Sequence, residues 1–203
     1  MELEPGSIVE AKVTGITKFG AFALYIATQR YSDAEQMYVE SLEISRKQSK
    51  DNPLVYEPYV ASTLNNLANL YIATQRYSDA EQMYLESLEI RRKLSKYNPQ
   101  VYEPDVATTL NNLANIYRVT QRYSDAEQMY VESLEIRRKL SKYNPQVYEL
   151  DVATTLNNLA VLYYITQRYS DAEQMFVESL EIYRKLSKDN PQAYEPYVAK
   201  VLN

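Results

Sequence analysis

The chain has 203 residues, 45% of them hydrophobic, which is enough apolar material for one domain or one short repeat array. Its 27 acidic and 22 basic residues give a net charge of −5, which argues against an extended nucleic-acid surface. There is no Cys and no His, which excludes disulfides, thiolate metal sites and the commonest general base, and only three Gly are present for turns or phosphate loops. We expect a helical protein that is not an enzyme and has no cofactor or metal.

Residues 1–18 form a non-repeat N-terminal segment. The start, from Met1 to Pro5, is acidic, and no apolar run approaches the roughly 18 residues of a membrane span. We therefore expect no membrane association and a cytoplasmic location.

The run from Pro5 to Phe22 resembles the opening two strands of the OB-fold RNA-binding domain repeated in the largest protein of the bacterial small ribosomal subunit. The resemblance implies that Phe19 and Phe22 stack on bases. Two strands do not form a stable sheet alone, so we interpret this run as a lead-in to the first helix. RNA binding through it is kept as an alternative.

One string, Arg-Tyr-Ser-Asp-Ala-Glu-Gln-Met, recurs along the chain with its Tyr at Tyr31, Tyr77, Tyr123 and Tyr169, each 46 residues from the last. A fixed period of this size indicates one supersecondary unit stacked on copies of itself. We number the repeats by these four Tyr residues. Residues 19–203 are predicted to form one array of about four hairpins plus the start of a fifth, which 197–203 enter.

Each repeat carries two apolar stripes at helical spacing, which predict a first helix and a second helix packed as a hairpin. The residues are Leu64, Leu67, Ala68, Tyr71, Ala80 and Tyr84 in the second repeat, Leu110, Leu113, Ala114, Tyr117, Ala126 and Tyr130 in the third, and Leu156, Leu159, Ala160, Tyr163, Ala172 and Phe176 in the fourth. Their spacing resembles that of the tetratricopeptide signature. Most tyrosines are thus predicted to be core residues.

Local signals predict how the second helix begins and ends. A Ser-x-x-Glu capping box is expected to open it, at Ser32/Glu35, Ser78/Glu81, Ser124/Glu127 and Ser170/Glu173. Because Pro145 comes late in the repeat, this helix is predicted to be long, with Ile136 and Leu140 as extra core residues. Residues 91–93 and 137–139, which are Arg-Arg-Lys, are predicted to be solvated, and residues 97–102 to form a connecting loop.

Through residues 106–114 and 130–136, the chain resembles the longer tetratricopeptide repeats of the kinesin light chain type. It departs from them in a longer connection between hairpins and in having Gln121-Arg122 where a glycine often follows the first helix. The resemblance implies an all-α, right-handed superhelical stack of antiparallel helix hairpins. It also implies that the first helices line the concave face, where asparagines contact bound peptides.

A second, polar stripe follows each first helix on the side turned away from the apolar one. It consists of Ser62, Asn65, Asn69 and Ile72 in the second repeat, Thr108, Asn111, Asn115 and Arg118 in the third, and Thr154, Asn157, Val161 and Tyr164 in the fourth. An amide is both donor and acceptor, which suits the backbone of an extended peptide. We predict a peptide-binding site at Asn65, Asn69, Asn111, Asn115, Arg118, Asn157, Val161 and Tyr164.

The stripe differs most between repeats at its end, where Ile72, Arg118 and Tyr164 are equivalent and Val161 replaces an asparagine. This divergence predicts an apolar anchor pocket near Val161, Tyr164 and Ile165. The alternatives are that Val161 and Ile165 only pack against a further hairpin, and that the asparagines are solvated or bridge hairpins. Asn66, Asn112 and Asn158 are predicted to have that bridging role.

The function predicted from these features is a scaffold that holds a protein or peptide partner in the concave groove, without catalysis. One alternative is structural self-association, in which the last hairpin pairs with another copy of the chain. This alternative rests on the missing polar capping helix that repeat arrays normally need.

Overall fold

The computed structural model describes residues 30–202, which contain eight α-helices. Their bounds are α1 Tyr31–Asp51, α2 Pro53–Ala73, α3 Tyr77–Tyr97, α4 Pro99–Val119, α5 Tyr123–Tyr143, α6 Pro145–Ile165, α7 Tyr169–Asp189 and α8 Pro191–Leu202. Each helix packs on the next along the chain. The predicted all-α stack of hairpins is confirmed: α2, α4, α6 and α8 are first helices, and α1, α3, α5 and α7 are second helices.

A single asparagine connects each second helix to the next first helix, so the loop predicted at residues 97–102 is wrong. Only Asn98 lies between α3 and α4, and Pro99 is already the first residue of α4. Proline disfavours helical dihedrals in the residue before it, which puts Asn98 at φ −143° and ψ 86°. Proline itself suits the first helical turn, where its missing N–H is not needed. The long repeat therefore extends both helices, each of 21 residues, and not a loop.

Three residues join the two helices of a hairpin, and they form a Schellman motif without glycine. In the third repeat, the N–H of Arg122 donates to the carbonyl of Tyr117, and the N–H of Gln121 donates to that of Arg118. This geometry puts the middle residue of the turn at positive φ, as seen at Gln75, Gln121 and Gln167, with φ of 60–62°. Glutamine thus occupies the position where glycine is usual.

The predicted capping boxes are wrong. The second helices start one residue before the serine, at the tyrosine, and the residues before them, such as Arg122, make no side-chain capping bond. Arg122 Nε donates instead to Asp125 Oδ2 at 2.8 Å. Three of the four glutamates of the supposed boxes bond residues of the following hairpin, as Glu127 does by accepting bonds from Tyr163 and Arg168.

The core follows the predicted apolar stripes. Tyr84, Tyr117 and Tyr130 are buried, and Ala114 and Ala126 are fully buried. Leu140 is buried and Ile136 packs against the core, so both predicted extra core residues are confirmed. The tyrosines, alanines and extra core residues named here are therefore part of the core, as predicted, in the described part of the array.

The first arginine of each Arg-Arg-Lys run is buried, so the predicted solvated state is wrong for Arg91 and Arg137. Arg91 Nη1 donates to the carbonyl of Asp105 at 3.1 Å and also to the hydroxyl of Thr109, and both acceptors belong to the next first helix. Arg137 repeats these contacts with Asp151 and Thr155. Burial lowers the pKa of both guanidinium groups. These arginines join consecutive hairpins instead of forming a solvated face.

The other two residues of each run are exposed, as predicted, but they form ion pairs. Arg92 bonds Glu132 of the next second helix at 2.6 Å, and Arg46 and Arg138 bond Glu86 and Glu178 in the same way. Lys93 bonds Glu57 of its own hairpin, also at 2.6 Å. Exposed pairs of this kind contribute less than about 1 kcal/mol each, so they set the register more than the stability.

The predicted segment at 1–18, its boundary with the array and the RNA-binding alternative at Phe19 and Phe22 lie outside the described residues. Among residues 30–202, no helix is both long and apolar enough to span a membrane.

Candidate functional site

The predicted polar stripe is exposed at its C-terminal end and buried at its centre. Asn69 and Tyr164 are exposed, and Asn65, Asn115, Arg118 and Val161 are partly buried. Asn111 and Asn157 are each only 8% exposed. The open part of the face therefore consists of the last two turns of α2, α4 and α6.

Asn111 lies at a junction between hairpins. Its Oδ1 accepts a 3.1 Å hydrogen bond from Nδ2 of Asn158, which lies on the next first helix. The bridging role predicted for Asn158 is confirmed, and the partner is an asparagine of the predicted binding stripe. This bond uses one of the two lone pairs of Asn111 Oδ1 in a contact between repeats, so the acceptor of that amide is partly occupied.

Asn115 and Asn69 are held in place by tyrosines of the second helix. The hydroxyl of Tyr130 donates to Asn115 Oδ1 at 2.7 Å, and that of Tyr84 donates to Asn69 Oδ1. Burial raises the pKa of both tyrosines, so each remains a donor at neutral pH. Because Oδ1 is the occupied atom, the NH₂ group of each amide is directed away from the core.

Arg118 lies beside the Tyr130 hydroxyl, where its positive charge acts against the burial effect on the pKa of Tyr130. One turn of α4 thus carries an amide donor and a guanidinium on the open side of the hairpin. Both groups are donors, so this turn is suited to carbonyl or carboxylate oxygens.

The fourth repeat has an apolar version of the same position. Val161 replaces the asparagine, and Phe176 replaces the tyrosine that would hold it. Both partners of the hydrogen bond are therefore absent together. Nearby, Tyr164 is 61% exposed and contacts the ring of Tyr169 edge to face at a centroid distance of 5.7 Å, and Ile165 is 42% exposed.

Asn65 has a buried Oδ1 with no hydrogen-bond partner among the described residues. An unsatisfied buried acceptor costs roughly 1–3 kcal/mol, so a donor from a ligand or a water molecule would be favoured there. The equivalent residues Asn111 and Asn157 are more buried. Within the central row, Asn65 is therefore the member whose unused acceptor is a buried atom.

Among helices two apart in the described chain, backbone contact is most extensive between α4 and α6, which are both first helices. A stack whose units are closer on one side curves towards that side. At this pair, the open turns of the first helices therefore lie on the inner side.

Tyr84 and Tyr130 were predicted only as core residues, and their role in positioning the asparagines was not predicted. The available signal was the coupled change from Asn and Tyr to Val161 and Phe176 in the fourth repeat. Thr109 and Thr155, whose hydroxyls accept from buried arginines, were not predicted either. No group of three or more Asp, Glu, His or Cys residues within 30–202 is arranged to hold a metal ion.

A family model described as tetratricopeptide repeat matches residues 22–93, 59–139 and 105–185. No match was found among the curated proteins.

Several solved structures are similar to this chain. BtubC (BKLC) from P. vanneervenii is 26% identical with a TM-score of 0.67, and the match covers 82% of this chain and 62% of that one. The apo form of RapI is 21% identical, also with a TM-score of 0.67, over 86% of this chain and 57% of that one. Nearly identical TPR-like repeats ascribed to a kinesin light chain of Podospora anserina are 14% identical with a TM-score of 0.59, over 90% and 82%. The chain thus spans less than two thirds of the first two structures, and the last two similarities show the fold alone.

Proposed function

Since the chain belongs to the tetratricopeptide repeat family, we propose that it is a non-catalytic scaffold that binds an extended peptide segment of a protein partner. The proposed site is the inner face of α2, α4 and α6. Asn69, Asn115 and Arg118 contact the backbone of the peptide, and Val161 and Tyr164 contact one of its apolar side chains. Asn111 supports the site from its junction with Asn158, Asn157 is as buried as Asn111, and Asn65 offers an acceptor.

The observation that carries this proposal is the pair of tyrosine-held amides. An amide fixed through its oxygen loses little side-chain entropy on binding, so its donors are preorganised for a carbonyl oxygen. Asn69 and Asn115 occupy equivalent positions in consecutive repeats. Two equivalent donors along a regular array suit a ligand that is itself regular, such as an extended backbone.

The exposed apolar residues of the fourth repeat support an anchor for one side chain. Tyr164 and Ile165 are 61% and 42% exposed, and Tyr169 is 60% exposed beside them. Amphipathic aromatic side chains are frequent in the parts of an interface that contribute most to affinity. The partner is therefore expected to carry an apolar residue on the C-terminal side of the array.

The test uses a random peptide display library as the probe and one variant with four substitutions. The substitutions are Asn115→Val with Tyr130→Phe and Asn69→Val with Tyr84→Phe. They replace each of the two hydrogen-bonded pairs by the Val and Phe pair that the fourth repeat has at Val161 and Phe176. Peptides selected on the unmodified chain should bind this variant at least about tenfold more weakly, because the lost hydrogen bonds contribute about 1 kcal/mol each.

The matched control is Glu135→Lys with Lys142→Glu, which exchanges two exposed charges of α5 at no change in net charge. Helicity of both variants is compared by circular dichroism. Equal affinity of the selected peptides for the pair variant and the control would refute the proposed site, and failure to select any peptide would refute the proposed function.

A further inference from the structure

The two middle junctions between hairpins each expose a tyrosine. Tyr97 ends α3 and Tyr143 ends α5, and their side chains are 69% and 83% exposed, more than any other large hydrophobic side chain among the described residues. Val101 and Val147, in the first turns of α4 and α6, are exposed four residues further on. Exposed apolar residues that occur as a group indicate an interaction surface, whereas single ones do not.

These tyrosines are a difference between repeats and not a feature that every copy shares. At the same repeat position, the first and fourth repeats have an aspartate, at Asp51 and Asp189. The sequence from the preceding lysine to the valine is otherwise Lys-Tyr-Asn-Pro-Gln-Val in both middle junctions, at residues 96–101 and 142–147. We call these two segments the Asn-Pro edge.

The Asn-Pro edge is positively charged in a chain whose net charge is −5. It contains Lys96 and Lys142 and no acidic residue. Both lysines are exposed, and neither is in an ion pair with another described residue. The lysines three residues earlier, in contrast, are both paired with glutamates of their own hairpins. The edge is therefore complementary to a segment that carries acidic residues.

A groove of about 610 Å³ lies between the two segments of the Asn-Pro edge. Asn98 and Gln100 line it from one segment, Tyr143 lines it from the other, and Tyr148 lines it from the start of α6. The side chain of Asn98 makes no capping bond to α4, and the side chains of Asn98 and Gln100 are both exposed. The groove thus offers amide donors on one side and tyrosine rings on the other.

A polyproline II segment fits this combination better than a helix does. Its backbone carbonyls make no internal hydrogen bonds and can all accept from amide donors, whereas those of a helix are used within the helix. Its proline rings pack on flat aromatic side chains. One of its turns advances by about 9 Å, which is similar to the spacing of about 8–10 Å between helices in contact, such as α4 and α6.

We propose that the Asn-Pro edge binds a proline-rich segment of a partner protein that also carries acidic residues. Tyr97 and Tyr143 pack on proline rings one turn of the segment apart. Asn98 and Gln100 donate to its carbonyls, and the two unpaired lysines bind its acidic side chains. The edge lies at the N-terminal ends of α4 and α6, whereas the inner-face site lies at their C-terminal ends, so this is a second surface beyond the proposed function.

The test uses a variant that gives the middle junctions the residue of the outer ones, Tyr97→Asp with Tyr143→Asp. The probe is a peptide display library with proline at every third position and random residues elsewhere, and a second library has alanine in place of each proline. Peptides selected from the proline library should be enriched in Asp and Glu. They should bind the variant at least about tenfold more weakly, because it lacks both rings and adds charges of the same sign as theirs.

The matched control is Gln82→Glu with Gln128→Glu, which adds the same charge at exposed residues of the same two helices but outside the Asn-Pro edge. It should leave the affinity of the selected peptides within about twofold of that of the unmodified chain. The inner-face variant with four substitutions should do the same, which separates the two surfaces. The exchange of Glu135 and Lys142 should weaken these peptides, because Lys142 belongs to the edge, and leave binding at the inner face unchanged.

Failure to select any peptide from the proline library would overturn the proposal. So would equal affinity of the selected peptides for the tyrosine variant and the control, or equally tight peptides from the alanine library. A sedimentation mass that rises with concentration for the unmodified chain but not for the tyrosine variant would identify a second copy as the occupant, and would also overturn it. Since neither tyrosine belongs to the inner-face site, each of these results leaves the proposed function unaffected.

Discussion

The hydroxyl of Tyr130 donates a hydrogen bond of 2.7 Å to Oδ1 of Asn115, linking a fully buried core ring to an amide on the inner face of the array. The fourth repeat has Phe176 and Val161 at these positions, so it has lost donor and acceptor together. In that repeat the change of one residue is accompanied by the change of the other. A core residue therefore determines which polar groups the inner face presents.

This coupling can be measured as a stability difference. Tyr130→Phe should lower the free energy of unfolding by about 1 kcal/mol, because it removes one hydrogen bond and leaves the ring in place. In a chain that already carries Asn115→Val, the same substitution should cost close to nothing. Urea denaturation of the four chains gives the coupling energy, and equal costs of Tyr130→Phe in both backgrounds would contradict it.

The second prediction concerns the buried guanidinium of Arg91, whose acceptors include the hydroxyl of Thr109. Thr109→Val should destabilise the array by about 1–3 kcal/mol, since a buried charged donor loses an acceptor. The neighbouring Thr108 bonds only the carbonyl of Pro104 in its own helix, and it is partly exposed. Thr108→Val should therefore cost less than about 0.5 kcal/mol. Equal denaturation midpoints for the two variants would show that the Arg91 contact contributes nothing.

The helices and their core could be predicted from the sequence because the same pattern recurs every 46 residues. Apolar spacing at Leu110, Leu113 and Tyr117 determines which side of α4 is buried, and that rule needs no information from distant residues. The buried state of Tyr117 and the long second helix ending in Leu140 follow from it.

The contacts between hairpins could not be predicted in this way. Ser124 and Glu127 match a capping motif, yet the turn at Gln121 starts the helix earlier, and Glu127 bonds Arg168, which lies 41 residues away. Likewise, residues 137–139 form one charged run in the sequence. Arg137 is buried because it contacts Thr155 of α6, whereas Arg138 is exposed, and this difference depends on the position of α6. For the candidate site, the position of the polar stripe on the first helices could be predicted from the sequence. The burial of Asn111 could not, because it depends on contact with Asn158 of the next repeat.

The third prediction concerns the glutamines at the hairpin turns. Gln121 has φ 62°, a left-handed conformation that costs a residue with a Cβ about 1 kcal/mol relative to glycine. Gln121→Gly should therefore stabilise the array by about 0.5–1 kcal/mol, in spite of the entropy that glycine adds to the unfolded chain.

The adjacent Thr120 is the matched control for this substitution. Its φ is −86°, and its hydroxyl donates to the carbonyl of Ile116 at 2.9 Å. Thr120→Gly should lower the denaturation midpoint, because it removes that bond and offers no relief of strain. A midpoint of Gln121→Gly that lies below that of the unmodified chain would contradict the prediction.

The fourth prediction follows from the buried tyrosines at the junctions between hairpins. Burial, together with a hydrogen bond to Glu127, raises the pKa of Tyr163 to about 12, and burial also raises the pKa of Tyr71 and Tyr117. In the unfolded chain a tyrosine has a pKa of about 10, so the unfolded state loses its proton first. The stability that these residues contribute is therefore complete below about pH 10, and it is lost as the pH rises from about 10 through about 12.

Denaturation midpoints measured from neutral pH to about pH 12 should be constant at first and then fall in this interval. Tyr163→Phe should make that fall shallower, because one group that titrates differently in the two states is removed. The control is Tyr143→Phe, at a side chain that is 83% exposed and thus in nearly the same surroundings in both states. The pH dependence of this control should match that of the unmodified chain. If the denaturation midpoints of Tyr163→Phe show the same pH dependence as those of the unmodified chain, the contact with Glu127 does not hold Tyr163 in its protonated form.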